Sequence, residues 1–150
     1  MIVIRRVLAP TDFSDSSAPA VRYAAELATK FGAELTLVHV VQDLNLVVPD
    51  VMMPLPTPAP ALEEMVAGAK AGIATFVEKL GLQPLHPKAE VRIGAPAAEI
   101  VAAAADLKAD LLCIGTHGRT GLAHFLLGSV AERIVRHAPC PVLTVRPPAK

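Results

Sequence analysis

"DLLCIGTHGRTGLAHFLLGSVAERIVRHAPCPVLTV", residues 110–145, runs through an apolar segment, a glycine-rich loop, an amphipathic segment and a second apolar segment. Asp110 to Gly115 and Val142 to Val145 have the length and branched apolar content of buried strands. Between them, Val130, Ile134 and Val135 recur at helical spacing after Gly128-Ser129, where a helix can start. Strand, loop, helix, strand is the repeat of a parallel α/β sheet. Of the nine glycines in the chain, Gly115, Gly118, Gly121 and Gly128 fall in this one loop. Because glycine weakens regular structure, such clustering marks a main chain that takes positive φ or comes close to something.

The same alternation extends back to the N-terminus. Arg6 to Pro10, Glu34 to Val41 and Ala89 to Ile93 read as three more strands. A first helix opens near Ser14 and Asp15, places Val21, Ala24, Ala25, Ala28 and Phe31 on one face, and stops at Gly32. A second carries Leu62, Val66, Ala69, Ile73, Phe76 and Leu80 to Gly81, and a third starts at Pro96 with Ile100, Val101 and Ala104 inward. Strands covered on both faces read as continuously apolar, whereas edge strands tolerate polar alternation and proline. "VLA", "LTLVHV" and "LLCIG" are therefore central, and "AEVRI" and "PCPVLTV" are edges. The expected fold class is α/β: an open five-stranded parallel sheet of order 3-2-1-4-5 with helices on both faces, its switch point between strands one and four. The stretch 44–61 departs from the pattern. Its five prolines exclude regular helix and predict a long surface connection, with a lid or partner-binding flap as the alternative.

Composition narrows the function. A chain of 150 residues, 53% hydrophobic but with one Tyr, four Phe and no Trp, makes one domain with an aliphatic core and little to stack on bases. Fourteen basic residues balance fourteen acidic ones, so the charge footprint of a nucleic-acid or membrane binder is missing. No apolar stretch reaches a membrane span, and arginines break the N-terminus before a signal core forms, so the expected location is cytoplasmic. Cys113 and Cys140 share no CxxC spacing and read as structural thiols. His39 reads as a satisfied core histidine. His117 and His124 lie too far apart to argue for zinc.

In an open α/β sheet the ligand crevice lies at the carboxyl ends of the strands beside the switch point. "APTDFS", Ala9 to Ser14, and the glycine loop should meet there. Gly115 and Gly118 let amides curl inward, and Gly128 with Ser129 opens a helix whose unpaired N–H groups favour an anion, so phosphate is the expected ligand. The spacing G-x2-G-x9-G-S is neither a Walker A loop nor GxGxxG.

That spacing, the C-terminal block "GRTGLAHFLLGSVAERIVRHAPCPVLTVR" and the N-terminal block "VLAPTDFSDSSAPAVRYAAELA" resemble the universal stress protein family in its ATP-binding branch. The similarity covers the whole chain and is weakest in the proline-rich segment. It implies one Rossmann-like domain over 1–150, of the adenine nucleotide alpha hydrolase type. By resemblance, Pro10, Thr11 and Asp12 match the adenosine-binding strand end, and Val40 matches a position lining the adenine pocket. Gly115, Gly118, Arg119, Gly128, Ser129 and Val130 match the triphosphate and ribose loop. Asp12 can accept from a ribose hydroxyl or the adenine amine, Arg119 is the cation placed for phosphate, and Mg²⁺ would offset the remaining charge.

The expected function is an ATP-binding regulatory protein of the stress response, without dedicated catalysis. A slow ATP hydrolase or phosphotransferase is the rival, although no general base stands out. A dimerisation module that binds no nucleotide is a further alternative. The apolar edge "PCPVLTVR" predicts a homodimer paired antiparallel through strand five, which the resemblance also implies.

Overall fold

The most deeply buried strand lies at the centre of the sheet. In the computed structural model, which describes residues 1–42, 59–116 and 127–148, β1 (Arg6–Pro10) is flanked by β2 (Glu34–Val41) and β4 (Leu111–Gly115). β3 (Lys88–Ile93) and β5 (Val142–Val145) are the edges, so the five parallel strands run β3-β2-β1-β4-β5, the order expected from polar alternation and proline.

The two-residue period of β1 divides its side chains between two cores. Val7 and Ala9 join Leu35, Leu37 and Cys113 under α1 (Ala18–Phe31) and α2 (Ala59–Leu80). Leu8 joins Val38, Leu112 and Ile114 under α3 (Pro96–Asp106) and α4 (Ser129–His137). Helices therefore cover both faces. Gly32 ends α1 at φ 62°, in the left-handed region where a side chain is strained, and its N–H returns to the Ala28 and Thr29 carbonyls. Burial pushes the Cys113 thiol up to about 11, with Cys140 adding to the rise, so Cys113 stays a protonated core thiol.

Several local expectations need correction. α1 starts at Ala18, not near Ser14 or Asp15, because residues 12–17 are held in a turn described below. α2 reaches back to Ala59, so Pro60, expected in the loop, sits in a first helical turn, where its missing N–H costs nothing. Phe31, expected inward, is 49% exposed at the last turn of α1. Val130 and Val135 are exposed as well. α4 instead buries Ala131 and Ile134, and at about 100° per residue the two valines lie to either side of that seam. A 3-10 turn at Gln83–Leu85 had no counterpart in the sequence reading.

At the amino ends of the strands, Asp110 Oδ2 accepts the Arg5 and Arg6 backbone N–H groups at 2.8 and 2.9 Å. These bonds hold the carboxyl below its ordinary value, with the Arg5 N–H the leading cause. Since the folded value is depressed, this clasp stabilises the fold above the ordinary carboxylate range and is lost as pH falls through the lowered one. Asp110→Asn should therefore flatten the acid limb of a thermal-stability profile while leaving the neutral limb parallel to wild type. An unchanged acid limb would assign the acid sensitivity elsewhere.

Candidate functional site

The site begins where two ladders stop at different heights. β1 pairs with β2 up to Pro10↔Val38, but with β4 only at Val7↔Leu111 and Leu8↔Leu112. Beyond Leu8 the two central strands are no longer laddered, and the carboxyl ends at this switch point are where an open α/β sheet has its ligand crevice.

On the β1 side, Pro10 and Thr11 are buried and Asp12 is half-buried. Thr11 is fully engaged by the scaffold. Its N–H donates to the Val38 carbonyl at 2.9 Å, its carbonyl accepts from His39 Nδ1 at 2.8 Å, and its hydroxyl accepts the Phe13 N–H at 3.0 Å. Ser17 Oγ donates to the Ser14 carbonyl at 2.9 Å, so in the Thr11–Ser17 hydroxyl pair, also 2.9 Å apart, Thr11 donates. Asp12 Oδ1 accepts both the Ser14 N–H at 3.0 Å and the Ser14 hydroxyl, an Asx turn that fixes the carboxylate. Thr11 thus shapes the turn through groups already spoken for. A carboxylate accepts several hydrogen bonds at once, so Asp12 retains ligand chemistry alongside Ser14. Val40 stands past the end of β1, half-buried against the core of the α3–α4 face. Neighbouring His39 is half-buried and stacks on Phe13 with ring centroids 4.3 Å apart, matching the reading of a satisfied histidine.

The other wall is the junction of β4 and α4. Gly115 ends β4 opposite Val145. Thr116, buried beside it, donates its N–H to the Val145 carbonyl at 3.0 Å and accepts the Gly128 N–H at 2.7 Å. The glycine loop is thereby closed at its base. Gly128 is the N-cap of α4 with extended backbone, φ −67° and ψ 160°, so positive φ is not what requires glycine here. A Cβ at Gly128 would lie 3.2 Å from the Thr116 carbonyl oxygen, and close approach is the requirement. Ser129 and Val130 occupy the exposed first turn of α4, where backbone N–H groups lack intrahelical acceptors. Gly118 and Arg119, with His117 and His124, lie outside the described residues, as does 44–58 of the proline-rich segment.

Nothing in the sequence singles out Thr116 or Ser17, and Ser14, expected at a helix opening, lies instead in the Asx turn that the Asp-x-Ser spacing of Asp12 and Ser14 signals. A cavity of about 120 Å³ at the opposite end of the sheet, lined in part by Arg6, Thr36 and Lys88, contains none of these residues. Among the described residues no cluster of three or more His, Cys, Asp or Glu could hold a metal, and no helix is long and apolar enough to cross a membrane.

Residues 4–146 match the family model described as the Universal stress protein family. The universal stress protein MJ0531 of Methanocaldococcus jannaschii is 39% identical, over 97% of this chain and 84% of its own length. Among solved structures, that of the hypothetical protein MJ0577 from the same organism has a TM-score of 0.79 and 26% identity, covering 99% of this chain and 100% of that one. A universal stress protein in complex with cAMP has a TM-score of 0.66 and 27% identity, covering 95% of this chain and 97% of its own.

Proposed function

The chain belongs to the universal stress protein family, and on that premise we propose that it is a regulatory protein that binds ATP at the β1–β4 crevice. The observation that carries the reading is the early end of the β1–β4 ladder, with the Asp12 turn following β1 and the Gly128–Ser129 helix start hydrogen-bonded to Thr116, which follows β4. Asp12 would take the adenosine end, as acceptor for a ribose hydroxyl or the adenine amine, with Val40 against the base and the Pro10–Thr11 strand end beneath. Gly115, Gly118, Gly128, Ser129 and Val130 would surround the phosphates with backbone amides, and Arg119 would supply the cation. Bound adenine nucleotide in a similar structure, cAMP, supports the ligand class. Mg²⁺ would be carried by the phosphates, since the described residues offer no cage of their own. Regulation is preferred to hydrolysis because no general base stands out among the described residues: Glu132, the carboxylate in the first turn of α4, is an exposed helix-surface residue that pairs with Arg136. Nucleotide occupancy would change the surface or assembly of a cytoplasmic homodimer paired through β5.

Asp12→Ala should weaken adenosine and ATP alike, whereas Arg119→Ala should weaken ATP far more than adenosine. Each loss should be roughly 1.5–3 kcal/mol, about ten- to a hundredfold in affinity. Calorimetric titration with both ligands checks it, and equal effects of both variants on both ligands would overturn the assignment of ends. Release of an adenine nucleotide on denaturing the purified protein would identify the resident ligand directly.

A further inference from the structure

The turn that presents Asp12 is held from the far face of the sheet. Phe13, next to Asp12, is a non-glycine residue at φ 65°, a conformation strained for an L side chain that persists only where the surroundings impose it. Three contacts impose it. The Phe13 ring stacks on His39, whose Nδ1–H bonds the Thr11 carbonyl, and it meets Phe76 of α2 edge-on at 6.0 Å. It also lies over Gly72 of α2 so closely that a Cβ there would come within 2.9 Å of two ring atoms. In the last turn of α2, Lys79 reaches Asp15 at 2.9 Å, but that pair is exposed and contributes little.

We propose that Phe13 is a positioning residue: wedged between His39 and the Gly72–Phe76 face of α2, it sets the Asp12 carboxylate for the adenosine end of the nucleotide and makes that affinity depend on where α2 sits. Phe13 itself touches no nucleotide. Because Phe13 follows Asp12 directly and its ring is held against His39 and Phe76, a ring forced off Gly72 passes part of its shift to the backbone that aims the carboxylate. The phosphate end, built on the β4–α4 junction, does not share this support. The inference rests on the adenine-nucleotide reading of the crevice and adds to it the element that governs one half of the site.

The test is Gly72→Ala, titrated with adenosine and separately with inorganic tripolyphosphate plus Mg²⁺. Adenosine should weaken by about five- to twentyfold, with tripolyphosphate unchanged within about twofold. Phe13→Leu should show the same split. Adding Gly72→Ala to Phe13→Leu should cost nothing more, since the methyl then has no ring to displace. A folded Gly72→Ala protein that binds adenosine as wild type does, equal losses for both probes, or additive losses in the double variant would overturn the role. Should Gly72→Ala fail to fold, Phe13→Leu decides alone, and unaltered adenosine affinity there would overturn it. A wild-type protein binding neither probe would instead bring down the nucleotide reading, and this role with it.

Discussion

Gly128→Val is expected to abolish ATP binding, by more than about a hundredfold, in a protein that still folds. Valine is at ease in the extended backbone that Gly128 adopts, so α4 should still start at Ser129. The conflict is one of space. The Thr116 carbonyl oxygen stands 3.2 Å from the Cβ position, while the Gly128 N–H holds the same oxygen at 2.7 Å and the Thr116 N–H is fixed to Val145. Relieving the contact takes a shift of a few tenths of an ångström, which stretches the bond that closes the loop, at an overpacking cost of about 1–3 kcal/mol. Branching at Cβ then fills the space beside the α4 amides where phosphate is proposed to lie. Gly128→Ala should fall between wild type and valine. Calorimetric titration together with thermal melting checks both, and wild-type affinity in a folded valine variant would remove the argument for a phosphate cradle.

Thr144→Pro is expected to convert a dimer into a soluble monomer. Toward β4, β5 uses its odd-numbered residues: the Pro141 carbonyl accepts from Leu112 and the Val145 carbonyl from Thr116, both at 3.0 Å. By the two-residue period of a strand, the Thr144 N–H faces away from the sheet, and its side chain is exposed. Proline there removes a donor from the free edge and none from the internal ladder. Val145 is buried within its own chain, and the half-buried Leu143 and Val142 pack on the α1–α2 and α3–α4 cores. The proposed interface is therefore mainly a backbone ladder, which a single proline can break. Sedimentation at micromolar concentration checks it. A variant that remains dimeric, or a wild type that never dimerises, would place the assembly elsewhere.

The strand order was legible because burial on two faces leaves a different sequence signature from burial on one. Arg92 and Glu90, which form an ion pair at 2.6 Å on β3, could not stand in β1. Helix ends were legible where glycine ends them, at Gly32 and Gly81, both with positive φ. The start of α1 was not, because Ser14 and Asp15 satisfy the local rules for a cap while the Asp12 carboxylate captures Ser14 first. Nor was the outward turn of Val130 and Val135, since periodicity fixes a helical face only within about one residue of rotation. At the site, glycine content pointed to Gly128 but not to the reason for it. The reason is the Thr116 carbonyl, and a backbone oxygen has no residue type by which a sequence can announce it.

Placing the first strand in the middle of the sheet has a consequence during synthesis. β1 can pair with β2 once Val41 has emerged, but its other edge stays bare until Leu111 follows. At about 5–20 residues per second that interval lasts roughly 4–14 s. Throughout it, the growing chain carries an open edge on the strand that ends up most deeply buried, a template for pairing with any neighbouring nascent chain. The crevice shares this timing, since one of its walls is the end of β4. Nucleotide can therefore stabilise the finished fold but cannot shield β1 on the way to it, and a substitution that delays β4 should appear first as aggregation during expression, before any change in the purified protein.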